Sequence, residues 1–152
     1  MEAFAAAVEV FALAEWLRVS RWGYAAISAT HILGIALLVG AVVSLDLRLL
    51  GLWRSIDLDP LYRILARVSA TGLIIAIITG ILLFAVRATE YVALELFFVK
   101  LGLIIIGAAL SALMHFGIKI QHASAERQRL FGALSLLIWP AVLVCGRLLA
   151  FV

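Results

Sequence analysis

One cysteine, Cys145, is all that this chain of 152 residues carries, which excludes an internal disulfide and any cysteine zinc cluster. Charge is scarce too. Only 14% of the residues are Asp, Glu, Lys or Arg, against about a quarter in soluble domains. There are two prolines, Pro60 and Pro140, so little interrupts a long helix. The twelve Lys and Arg are scattered and the net charge is only +3, which leaves no basic tract for nucleic acid. What fills the chain is apolar, with 66% hydrophobic residues and a mean hydropathy of +1.22. That composition belongs to an integral membrane protein of a single domain, residues 1–152, whose first partner is the lipid bilayer.

Residues 1–20 place Phe4, Val8 and Phe11 at helical spacing, and three glutamates precede the first arginine, Arg18, unlike a secretory signal. They are expected to form an amphipathic helix lying at the membrane interface. Four apolar stretches follow, at about 24–44, 64–86, 96–118 and 130–151, each near the ~20 residues that cross ~30 Å of hydrocarbon. The expected fold is all-α: an integral membrane four-helix bundle with an additional N-terminal interfacial helix. Asp59-Pro60 reads as the start of the second span, with the carboxylate capping free amides. Ser124 reads as a cap for the fourth, and Pro140 as a kink. Arg48, Arg54, Arg63, Arg67, Lys119, Arg127 and Arg129 flank the loops after spans one and three. The opposite face has Arg18, Arg21 and Arg87, with Lys100 and Arg147 inside span ends. By the positive-inside rule both termini and the 87–95 turn are expected to face outward, which is the periplasm if the membrane is a bacterial cytoplasmic (inner) one.

From Tyr24 to Val43 nothing ionises except His31, and a titratable group inside such a helix is costly enough to point to function. At helical rise His31 lies ~10 Å below the outer boundary. Lys100 is about one turn in from the same surface, and Arg147 returns to a similar level. His31, Lys100 and Arg147 can therefore converge from spans one, three and four, with Glu95 at the border. His115 lies elsewhere, near the cytoplasmic boundary and ~18 Å from His31 in depth, so the two cannot share one iron. A six-coordinate haem needs His31 plus another ligand, or two copies of His31 across a subunit interface. Zinc hydrolysis fits poorly, because no span supplies two histidines at metal spacing. A haem or another anionic ligand suits the outer cluster, with histidine on iron and the two cations on carboxylates. The same residues also fit a structural role, His31 donating to a neighbouring helix while Lys100 and Arg147 reach the headgroups. Asp46 and Arg48 read as a structural ion pair at the end of the first span.

The stretch HILGIALLVGAVVSLDLRLLGL, followed later by FFVKLGLIIIGAALSALMH, resembles an uncharacterised family of small bacterial inner-membrane proteins. The shared pattern is carried by His31, Gly40, Asp46-Leu47-Arg48 and Phe98-Val99-Lys100, and the likeness runs from Ala14 to about Ile118. More distantly, the layout is similar to the four-helix membrane protoporphyrinogen oxidases and the copper-resistance D-type membrane domains. The oxidase resemblance implies haem b, with His31 and then His115 as iron ligands. Departures from that pattern are the wide spacing of Lys100 and His115 and the pair Phe97-Phe98 where a tryptophan is expected.

Three function classes remain. The first is a haem b-binding inner-membrane redox protein that exchanges electrons with quinone, with His31 the axial ligand, Lys100 and Arg147 orienting propionates or a quinone headgroup, and His115 holding a second haem. The second is a small transporter or channel module, which four helices could form only as a homo-oligomer. The third is a non-catalytic anchor for a respiratory partner subunit.

Overall fold

A computed structural model describes residues 2–149 and 151, and among these every regular element is helical. The chain opens with two short helices, α1 (Glu2–Glu9) and α2 (Ala12–Val19), where one was expected over residues 1–20. The break has a tertiary cause. It brings Glu9 to the start of α5 (Ala88–Val92), where Glu9 Oε1 accepts hydrogen bonds from the Thr89 amide and hydroxyl, both at 2.7 Å. A continuous helix would carry the carboxylate past those free amides.

α3 (Arg21–Leu50) starts at Ser20, whose hydroxyl accepts from the Gly23 amide at 3.1 Å. It ends at Gly51, whose φ of 107° is left-handed; there the Gly51 and Leu52 amides close back on the carbonyls of Arg48 and Leu47. α4 (Leu58–Val86) begins one residue before Asp59, so Asp59 is not its cap; the N-cap position is Asp57, without a side-chain bond. Among the first-turn residues, Asp59 still favours the helix start through its charge. α6 (Glu95–Ala112) continues as one π-helical turn, Leu113–Gly117, and a 3-10 turn, Ile120–His122, leads to α7 (Ala125–Leu148). Ser124 is the N-cap residue of α7 without a side-chain bond, and the helix runs on through Pro140. α3, α4, α6 with its π turn, and α7 are each long and apolar enough to cross a membrane.

These four helices do not close into a ring. α3 packs along both α4 and α7, and α7 packs along α6, so the order across the bundle is α4, α3, α7, α6. Small residues set the close approaches. A Cβ on Gly72 of α4 would lie 2.5 Å from the Leu38 amide nitrogen, and one on Gly34 of α3 would lie 2.8 Å from that of Ala76. Backbones this near leave no room for a side chain between them. On the other flank, Gly107 of α6 makes space for the Trp139 indole of α7. The buried core runs through Leu38, Val42 and Trp139 to Leu45, Leu49, Tyr62 and Met114. Ile74, Ile78, Ile81, Ile105 and Leu137 face outward, an apolar belt that suits hydrocarbon rather than water. α1, α2, α5 and the last turn of α7 lie at one end of the bundle, the terminal end. The connections α3–α4 and α6–α7 make the opposite, loop end.

Candidate functional site

At the terminal end His31 is half-buried on α3, against α4. Its ring sits over Gly80, where a Cβ would approach His31 Cε1 to 3.2 Å. The Thr79 hydroxyl donates to the Ile75 carbonyl at 2.6 Å, so its oxygen accepts from His31 Nδ1–H at 2.9 Å. With the Thr79 proton on the Ile75 carbonyl, the tautomer that completes the relay carries its proton on Nδ1 and keeps the lone pair on Nε2. The Lys100 ammonium of α6 lies against α7, 3.4 Å from where a Cβ on Gly146 would stand. Arg147 does not join them. It is exposed, with its guanidinium over the Phe151 ring at 4.6 Å. Glu95 is exposed as well, and Gly40, part of the motif quoted above, has open space where a side chain would begin.

At the loop end His115 rides on the π turn, a helix distortion that recurs at functional sites. Its Nδ1 is 3.1 Å from the Tyr62 hydroxyl, and the two rings stack at 5.7 Å and 12°. Phe116 meets the imidazole edge-on at 4.7 Å. Both residues line a cleft of about 510 Å³ between α4 and α6, floored by α3 and α7.

Asp46 and Arg48 form no ion pair with each other. Arg48 donates through Nε and Nη2 to the Ile56 carbonyl at 3.0 and 2.9 Å, tying the α3–α4 loop to the helix end. Asp46 is 1% exposed and turned inward. The reason is geometric, because residues two apart on a helix point to nearly opposite sides. Hydropathy alone hid Thr79, a single hydroxyl in the run Ile77-Ile78-Thr79-Gly80. Trp139 of α7 lines the cleft with Asp46. Among known proteins, no family model, no curated sequence and no solved structure matches this chain.

Proposed function

We propose that the protein is a haem b-binding redox protein of the bacterial inner membrane that exchanges electrons with quinone. In this reading the four long helices cross the bilayer with the terminal end towards the periplasm. The observation that carries it is the His31–Thr79–Ile75 relay. Histidines that ligate metals commonly donate their other ring N–H to a fixed acceptor, which orients the ring and leaves one lone pair outward. His31 has that arrangement through Nε2. The His31 ring and the Lys100 ammonium lie directly against Gly80 and Gly146, 3.2 and 3.4 Å from where a Cβ would stand, and the Lys100 ammonium would neutralise a propionate. Arg147, turned onto Phe151, drops out of the propionate role. Haem, where bound, would supply a one-electron couple; His31 would hold it through Nε2, Thr79 would orient that imidazole and Lys100 would provide counter-charge.

Protein purified from haem-replete cells is expected to show a Soret band that shifts on dithionite reduction. His31→Ala should lose the band and His115→Ala should keep it. A folded, colourless preparation, still colourless after incubation with haemin, overturns the reading.

A further inference from the structure

Two residues that line the cleft between α4 and α6 each carry a buried polar atom without a hydrogen-bond partner, Asp46 Oδ2 and Trp139 Nε1, and the buried Ser135 lines the same floor. Asp46 and Trp139 are each only 1% exposed. A buried donor and a buried acceptor left open are costly, and such groups in a folded protein mark a missing partner. The cleft identifies its chemistry.

Access is lateral. α4 and α6 are joined near the terminal end by stacked Phe84 and Phe97, 5.3 Å apart, and at the loop end by Tyr62 and His115. Between these bridges the two helices do not pack along each other. They face across small side chains, Ala66 and Ala70 on α4 and Ala108 and Ala112 on α6, which leave a flat slot. An occupant therefore arrives from the hydrocarbon. Charge narrows the class further. Arg63 and Arg67, both exposed, stand at the margin, while Asp46 lies at the floor. A cation meets the arginines and an anion meets the carboxyl group, so the occupant is neutral. Its polar head must take the indole N–H and also satisfy Asp46. A hydroxyl does both, since it accepts from Trp139 and pairs with a carboxyl group in either protonation state. The near-parallel Tyr62 and His115 rings add a flat aromatic wall.

We propose that this cleft binds a membrane-soluble hydroquinone, with a ring hydroxyl lodged between Asp46 and Trp139. The site lies about 22 Å along α3 from His31 by helical rise. It deepens the redox reading and rests on it only for the use made of the hydroquinone; the binding rests on the cleft alone.

The test is calorimetric titration of the full-length protein in quinone-free nanodiscs, kept anaerobic, with duroquinol, duroquinone and durene. All three share one methylated ring and differ only in oxygen chemistry. With Asp46 ionised, duroquinol is expected to bind about tenfold more tightly than duroquinone, which has no proton to donate to the carboxylate. Durene is expected not to bind. Asp46→Leu, Trp139→Phe and Ala112→Phe should each weaken duroquinol binding at least about tenfold. His31→Ala should bind it as the wild type does, so loss of haem and loss of this site are read separately. Equal binding of duroquinol and durene, or no binding of duroquinol at millimolar concentration, overturns the proposal without recourse to any variant. So does a dodecanol affinity equal to that of duroquinol, which would make the cleft a general site for hydroxylated lipid.

Discussion

A single hydroxyl decides what His31 can do. The Thr79 proton is committed to the Ile75 carbonyl, so the imidazole must be the donor at Nδ1. Thr79→Val keeps the shape and removes the acceptor. It is expected to cost about 1 kcal/mol of stability and to release the tautomer preference, which nitrogen NMR of labelled histidine reads directly. Wild-type protein should show a protonated Nδ1 and a bare Nε2 at His31; an Nε2–H tautomer in the wild type contradicts the relay. His31 itself was legible in the sequence, because it is the only ionisable group in a long apolar run. Its partner was not, since which residue of α4 faces it depends on how two helices rotate against each other. Asp46 shows the reverse failure. Its nearness in sequence to Arg48 predicted a pair, but a two-residue step turns one side chain into the bundle and the other to the loop.

At the scale of the helices, each of the four long elements covers one of the apolar runs, but α3 extends past its run to Leu50 and α4 and α7 start ahead of theirs, at Leu58 and Ala125. What hydropathy could not supply is the contact that orders them. The α3–α4 crossing depends on Gly34 and Gly72, where backbone lies against backbone. Gly72→Ala forces a Cβ to within 2.5 Å of the Leu38 amide nitrogen, and rigid main chain cannot yield as a side-chain tip can. The helices must part, at a cost of about 1–3 kcal/mol typical of overpacking. Gly40→Ala is the contrasting change. Nothing lies within 4 Å of the added carbon, so only helix propensity acts, and the variant is expected to be neutral or more stable by up to about 1 kcal/mol. Unfolding midpoints in mixed detergent–SDS titrations should separate the two variants in opposite directions. Similar losses at both positions would mean that the crossing is not where the helices meet most closely.

Over the whole molecule, the order of helices is open, α4 to α3 to α7 to α6, and at the terminal end α4 and α6 meet through the Phe84–Phe97 stack rather than by packing along each other. α1 and α2 add further ties there. Arg18 donates to the Val86 carbonyl at the end of α4 at 3.1 Å and pairs with Glu9 at 3.6 Å, while Glu9 holds the start of α5. A helix floating alone at the interface, as the sequence predicted, would have no such anchor; the Glu9 contact spans eighty residues and has no local signature. The clamp should be sensitive to acid. The hydrogen bond from the Thr89 hydroxyl, then that from its amide, holds the Glu9 carboxyl below its ordinary value of 4.5. A group whose pKa is lowered by folding stabilises the fold above its unfolded pKa and loses that contribution as pH falls through the folded one. Docking of α1 on α5 is therefore expected to be complete above pH 4.5 and to loosen progressively below it. Hydrogen exchange at the Thr89 amide measures this: protection should fall on acidification in the wild type, after correction for the intrinsic pH dependence of exchange. In Glu9→Gln, which has no carboxylate to titrate, protection should be lower at neutral pH and flat across the same range. The α3–α4 crossing is distant from this carboxylate and should keep its protection throughout. Simultaneous loss at both places would mean that acid unfolds the bundle as a unit and that the N-terminal helices are no separate clamp.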